Sequence, residues 1–215
     1  MDWSVIWKYR ELLAHGMVVS ALLVITGMIG GMLVGALLAL ARLSRFRTLA
    51  LLVGGYVTMI RSVPLILVLF WFYFMLPLVT GQPMGAMTSA LTTFVLFEAA
   101  FYCEIFRAGI LAVPQGQSLA AAATGLGNWQ TLRLVILPQA VAAMVPLLLN
   151  QAIILFQDTS LVYVVALRDF LTAANVVVGL NERPIEVYTF VAVVYLAICY
   201  GVSLLVGRSK KAALR

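Results

Sequence analysis

Charge is scarce in this chain: 14 Lys and Arg and eight Asp and Glu among 215 residues, 10% charged against 64% hydrophobic. With a mean hydropathy of +1.08, there is too little polar surface for a water-soluble globule, and a separate soluble domain is excluded. Histidine occurs once, as His15, and cysteine twice, as Cys103 and Cys199. Both cysteines lie in apolar runs, where the ordinary reading is a small buried hydrophobe. No cluster of His, Cys and carboxylates suggests a metal or a nucleophilic centre, and no Gly-rich phosphate loop suggests bound ATP, so an enzyme is not expected. The first ten residues, Met1 to Arg10, lack the basic region and cleavage site of a signal peptide and are expected in the mature protein. Within them Trp3, Ile6 and Trp7 share one helical face, which suits an anchor at the membrane interface.

What the chain has in abundance is long apolar runs. An α-helix needs about 20 apolar residues to cross the hydrocarbon core, and five such runs are predicted, over 17–41, 52–76, 87–106, 138–160 and 187–207. Helices are the expected class, because every backbone polar group in lipid must be satisfied internally and these runs are too uniformly apolar for barrel strands. The expected fold is an all-α integral membrane bundle, one transmembrane domain over 1–215.

Lys and Arg in short loops are retained on the cytoplasmic side. With five spans, one side collects nine cations, Arg42, Arg45, Arg47, Arg107, Arg133, Arg208, Lys210, Lys211 and Arg215. The other collects four, Lys8, Arg10, Arg168 and Arg183, with Arg61 unassigned. The N-terminus is therefore expected outside and the C-terminus inside. The net charge of +6 follows from this topology, and no nucleic-acid partner is needed to explain it.

A charged residue at the centre of a membrane helix costs about 2.5–3.5 kcal/mol even on lenient scales, so polar groups within the spans are the candidates for a transport pathway. Arg61 precedes Ser62, Val63 and Pro64, where proline disfavours a straight continuation. Arg61 either lines the pathway or sits at the headgroups with Pro64 opening the span. Glu104 and Arg107 are three apart on one helical face and can pair. Glu98 lies deeper, with no cation one turn away; it must face a watery cavity, be protonated, or meet another helix. Gln151, Gln157, Asp158, Thr159 and Ser160 complete the set. The run Asp158-Thr159-Ser160 competes with helix by bonding its own backbone, so it marks either a break whose amides can face a solute or an ordinary helix exit.

The interval between the third and fourth spans is polar and patterned. Gln117 to Ala123 is a small-residue helix former, Gly125-Leu126-Gly127 breaks it, and Asn128 is a suitable N-cap for a second short helix. Pro138 is expected to be the next discontinuity. The product is a helix–turn–helix knuckle outside the bilayer, whose alanines allow another protein to approach closely.

The interval resembles the EAA loop that bacterial ABC importer permeases offer to their ATP-hydrolysing subunits. The family pattern is Glu-Ala-Ala, three residues, Gly, nine residues, Ile, one residue, Leu-Pro. This sequence reproduces its spacing with Ala120, Ala121, Gly125, Val135, Leu137 and Pro138, preceded by Gly116 and Gln117. Leu119 stands in place of the Glu and Val135 in place of the Ile. Further segments, Arg61 to Leu65, Glu104 to Ile110, Ile136 to Ala140 and Asp158 to Leu161, resemble signatures of the polar amino-acid permeases that serve histidine, glutamine, arginine and glutamate importers. Phe97-Glu98-Ala99-Ala100, Trp129-Gln130, Met144 to Leu149 and Phe156 to Val164 look most like a glutamate/aspartate import permease subunit.

The resemblance implies a multi-pass permease of the bacterial cytoplasmic (inner) membrane with the type I ABC importer permease fold, which translocates a polar amino acid by alternating access. It implies partners: two copies of an ATP-binding cassette subunit carrying ATP and Mg, a homologous or identical permease chain, and a periplasmic amino-acid-binding protein. The loop over 107–137 becomes the coupling element. Arg61, Glu98, Gln151, Gln157, Asp158, Thr159 and Ser160 become solute contacts or gate. An ion-coupled secondary carrier is the reading from another class, and it would leave the patterned loop without a use.

Overall fold

The computed structural model describes residues 2–213, with side chains through Gly207. The tail cations Arg208, Lys210 and Lys211, and Arg215 with them, lie outside the described side chains. Among the described residues the chain is helical, with no strand. Helix α1 (Ser4–Lys8) buries Val5 and leaves Trp3 and Trp7 exposed, so the interfacial face predicted from Trp3, Ile6 and Trp7 keeps its two indoles, while Ile6 packs inward.

Helix α2 (Arg10–Arg42) is 33 residues long, about 50 Å at 1.5 Å per residue. It buries Leu23, Gly27, Gly31, Gly35 and Ala39, one residue in four, and presents Ile25, Ile29, Leu33 and Leu37 outward. The small face lets α2 lie against α6 (Ala86–Leu111) nearly backbone to backbone, the way helices associate where lipid gives no hydrophobic drive between them. A Cβ on Gly35 would stand 2.8 Å from Tyr102 Cβ, 2.9 Å from Ala99 O and 3.0 Å from Cys103 N. Helix α6 occupies the middle of the bundle, touching α2, α3 (Arg47–Arg61), α4 (Leu65–Phe70) and α9 (Leu137–Asp158), and buries Phe94, Ala99, Ala100 and Tyr102 completely.

The predicted span over 52–76 is bent at the proline that disfavours its straight continuation. Helix α3 (Arg47–Arg61) and the segment Leu65–Thr80 meet at 104°. The cause is local: Pro64 has its φ fixed at −58° and its ring drives Val63 out of the helical region. The second limb comprises α4 (Leu65–Phe70), a wide π-helical turn (Trp71–Met75) and α5 (Leu76–Thr80).

After α6 the chain forms α7 (Gln115–Ala123), a tight turn, and α8 (Asn128–Thr131). Gly127, rather than Asn128, caps α8, and its amide donates to Gln130 Oε1 at 3.0 Å. No discontinuity appears at Pro138: a second π-helical turn (Leu132–Ile136) joins α8 to α9 (Leu137–Asp158), and helix continues from Asn128 to Val165. A proline lacks the amide its own turn requires and crowds the carbonyl four residues back; a widened turn relieves both. Gln139 Nε2 donates to Val135 O at 2.8 Å and satisfies a carbonyl of that turn. The same device precedes Pro77, where the Trp71–Met75 turn is followed by Leu76-Pro77 as Leu132–Ile136 is followed by Leu137-Pro138.

Beyond Asp158 the backbone tightens into a 3-10 segment (Thr159–Val165), closed by Ala166 in the left-handed region at φ 56°. Helix α10 (Phe170–Asn181) is capped by Asp169, whose carboxyl accepts from the amides of Leu171 and Thr172 at 3.0 Å each. Ser20 Oγ accepts from Phe170 N at 3.1 Å and ties α10 to α2. The last helix is α11 (Pro184–Ala213).

By length and composition three helices can cross a membrane, Arg10–Arg42, Asn128–Val165 and Pro184–Gly207, or up to four with the bent pair counted as one. The remaining predicted span, 87–106, falls inside the 26-residue α6. One end of the bundle gathers α1, the start of α11 and α10, linked by the Asp2 amide donating to Glu186 Oε1 at 3.0 Å. The other gathers the end of α6, the α7–α8 knuckle and the 42–47 connector.

Candidate functional site

Two regions carry the polar residues singled out by the sequence. The first is a cleft of about 250 Å³ lined by Arg61, Phe101, Glu104, Ile105, Ala108, Leu147, Asn150 and Gln151, where α3, α6 and α9 meet. The Arg61 guanidinium, at the Pro64 bend, lies 5.3 Å from the centroid of the Phe101 ring, within range of a cation–π contact.

At the back of this cleft the third alternative for Glu98 is realised. Its side chain is 1% exposed and meets α9. Gln151 Nε2 donates to the two carboxyl oxygens at 3.1 and 3.2 Å. Gly31 of α2 closes the other side, since a Cβ there would stand 2.8 Å from Glu98 Cβ. Three of the predicted pathway residues, Arg61, Glu98 and Gln151, are therefore in one place, although they are far apart in sequence. The pair has an energetic signature. Gln151→Leu leaves a buried carboxyl without its donor and is expected to destabilise by about 1–3 kcal/mol, whereas Glu98→Leu with Gln151→Leu should recover most of the loss. Thermal unfolding of the purified single and double variants measures the difference; equal losses in both would mean the hydrogen bond contributes nothing.

Asp158 is seven residues beyond Gln151, two helical turns further along the same face. It is half-buried, and its carboxyl has no hydrogen bond or ion pair among the described residues. Its neighbours behave differently from the expected break. Thr159 Oγ1 donates to Phe156 O at 2.8 Å and Ser160 Oγ to Gln157 O at 2.8 Å, so both hydroxyl protons are spent on the chain's own carbonyls. The Gln157 amide points toward α11, 3.8 Å from Cys199 Sγ. The helix narrows there instead of opening, which leaves Asp158 as the unengaged polar group of the segment.

The predicted Glu104–Arg107 pair is formed. Glu104 also accepts from Arg42 of α2, a partner that no spacing along the chain could reveal. This triad fixes the 42–47 connector to the same end as the knuckle.

The second region is the knuckle itself. Helix α7 ends in a complete Schellman motif: Leu126 N donates to Ala121 O at 3.2 Å and Gly125 N to Ala122 O at 3.0 Å, with Gly125 at φ 83°. Only glycine takes that conformation without strain. Gly116, Gln117, Ala120 and Pro138 are exposed, and Ala121 is buried against the turn. Gln117 Oε1 accepts from Gln139 Nε2 at 3.4 Å, a contact between the two limbs. Leu119 and Trp129 are 69% and 70% exposed. Leu119, where the family pattern has Glu, thus makes the knuckle's outer face apolar.

Residues 16–213 match the family model of the binding-protein-dependent transport system inner membrane component. The chain is 43% identical to the glutamate/aspartate import permease protein GltK of Escherichia coli O6:H1, over 98% of this chain and 97% of that one. It is 31% identical to the glutamine transport system permease protein GlnP of Escherichia coli K12, over 98% and 96%. A crystal structure of an amino acid ABC transporter with histidines superposes with a TM-score of 0.91 at 27% identity, covering 99% of each chain. The inward-facing MetNI methionine ABC transporter shares the fold, with a TM-score of 0.74 at 22% identity over the whole of both chains. The chain therefore belongs to the inner-membrane components of binding-protein-dependent transport systems, as the permease subunit of an amino-acid ABC importer whose ATPase is a separate subunit.

Proposed function

We propose that this permease carries glutamate and aspartate by alternating access, with Arg61, Glu98, Gln151 and Asp158 along the path and the loop over 107–137 as the element that receives the ATPase. The observation that carries the reading is the cleft that joins Arg61 to the buried Glu98–Gln151 pair. The acidic substrate class draws on the 43% identity to the glutamate/aspartate permease. An acidic amino acid brings two carboxylates and one ammonium. Arg61 answers a carboxylate with a forked set of donors, and Asp158 answers the ammonium. Gln157, Thr159 and Ser160 shape the narrow end of the path, their polar groups engaged elsewhere.

The exposed Leu119 and Trp129 suit a protein surface as their cover. With the ATPase on the knuckle, that end is cytoplasmic and the α1 end lies outside, where a periplasmic binding protein delivers solute. Two ATPase copies and a second permease chain, identical or homologous, complete the assembly. ATP and Mg stay on the ATPase. Closure of the ATPase pair would move each knuckle as a lever and bias the bundle between inward- and outward-open states.

The test is reconstitution in vesicles with the ATPase, the partner permease and the binding protein. Hydrolysis is expected to rise severalfold with glutamate or aspartate and to stay basal with glutamine, histidine or arginine. Stimulation by one of the latter would keep the importer and discard the acidic substrate. Arg61→Gln is expected to raise the half-saturating concentration for uptake about tenfold; unchanged affinity would remove Arg61 from recognition.

A further inference from the structure

Along α3, from beside the end of α2 to Met59, runs an open groove of about 790 Å³ that no function described so far employs. Its walls are Arg42, Arg47, Ala50, Leu51, Thr58 and Met59, and its floor is Gly54 and Gly55. A Cβ built on Gly55 would meet nothing within 4 Å, and one on Gly54 would meet only Arg42 Nε at 3.7 Å. The floor is thus an empty channel of backbone, with the Arg42 side chain reaching over it. Leu51 and Met59 beside it are more than half exposed.

The charges sit at one end of this channel. Arg42, Arg45 and Arg47 fall within six residues, and the one carboxylate among the described residues that reaches the group, Glu104, is shared with Arg107. Arg47 has no carboxylate partner among the described residues, and Arg45 lies over the Phe46 ring at 5.4 Å. A cationic rim beside a channel floored by glycine backbone and flanked by Leu51 and Met59 has, on a membrane protein, the complementarity of one amphiphile: an anionic head with an acyl chain beyond it.

We propose that this groove holds an anionic phospholipid, its phosphate between Arg42 and Arg47 and one acyl chain over Gly54 and Gly55 between Leu51 and Met59. The leaflet assignment rests on the reading of the knuckle as cytoplasmic, because the Arg42–Glu104–Arg107 triad puts groove and knuckle at the same end. There the inner leaflet supplies negatively charged lipid, and basic pockets between helices on that side bind such headgroups. Arg42 has two tasks, pairing with Glu104 and facing the phosphate, so Arg47 carries the lipid charge contact that can be removed cleanly.

The experiment uses the full chain in nanodiscs made with phosphatidylglycerol and phosphatidylcholine in equal parts, released into mild detergent and weighed by native mass spectrometry. Wild type is expected to retain phosphatidylglycerol in preference to phosphatidylcholine, Arg47→Gln to lower that preference about fivefold, and Gly55→Leu to remove it by filling the channel. Equal retention of both lipids by wild type, or a preference untouched by both variants, overturns the site. Gly55→Cys probes the competing occupant: rapid disulfide formation between chains in the assembled importer would make the groove a protein interface and also overturns it. Labelling of an Arg45→Cys variant from outside the cell would sink the orientation alone, since lipid preference is read independently of sidedness.

Discussion

Gly35→Leu is expected to eliminate the folded chain, because the α2–α6 contact has no room for a side chain at that position. The first added carbon already stands 2.8 Å from Tyr102 Cβ and within 3.0 Å of backbone atoms of Ala99 and Cys103. None of these is the flexible tip of a side chain that could turn aside. Gly35→Ala forces α2 and α6 apart and is expected to cost about 1–3 kcal/mol, the usual range for an overpacked core; Leu adds three further carbons to a contact with no room for one. Leu37, two residues on and 67% exposed, serves as the comparison. Leu37→Ala should leave stability within about 0.5 kcal/mol, as a surface change away from special features does. The measurement is the yield of monodisperse chain in detergent and its melting temperature. Normal yield of Gly35→Leu would mean that the α2–α6 contact is not the spine of the bundle.

Gly125→Leu is expected to spare the fold and disable transport. Gly125 is exposed and nothing lies within 4 Å of a Cβ there, so packing does not oppose the change; its φ of 83° does. A side chain in the left-handed region costs about 1–2 kcal/mol, enough to shift a two-state turn about 5- to 30-fold toward an open form. An open turn no longer holds Leu119 on α7 and Trp129 on α8 in one rigid surface. The expected outcome is normal insertion and a melting temperature close to wild type, with ATP-driven uptake reduced at least tenfold. Ala120→Glu is expected to act on the proposed docking face directly, with the same readout. Coupled uptake at the wild-type rate in both variants would exclude the knuckle as the transmitting element.

Much of the architecture can be read in the sequence because bilayer thickness constrains helix length more tightly than packing does. The runs 17–41, 138–160 and 187–207 each lie within a helix long enough to cross, and 87–106 lies within α6. Where proline decides, its effect depended on what surrounded it. Pro64 breaks α3 from α4 through 104° because Ser62 and Val63 can close a helix end before it. Pro138 breaks nothing, because a widened turn precedes it and accommodates its ring, and the Gln139 amide bonds the Val135 carbonyl of that turn. The same ring gives opposite results, and the difference lies in neighbours that a single-residue rule does not weigh.

At the cleft, Glu98 announces itself by charge in an apolar run, but its donor lies 53 residues away on another helix. Glu104–Arg107 follows from spacing, and Arg42 does not. The four-residue repeat of small residues on α2, Gly27, Gly31, Gly35 and Ala39, is a legible sign of close helix approach. It also explains how the stretch of α6 that carries Glu98 comes to be enclosed. The Thr159 and Ser160 hydroxyls illustrate the opposite case: the residues that compete with helix hydrogen bonds do bond the backbone, yet they do so by tightening the helix one step instead of interrupting it.

The widened turn over Leu132–Ile136 also sets an angle. Successive α-helical residues advance by about 100° around the axis, so one additional residue in a turn rotates everything before it, relative to everything after it, by that amount. Helix α8 and Trp129 are therefore not in phase with the Asn150–Gln151 face of α9, even though the backbone between them is unbroken. Deleting one residue within 132–136 would restore regular phase and swing Trp129 about 100° around the rod. The proline that made the wide turn necessary thus determines the compass bearing at which this helix offers its Trp129 tip.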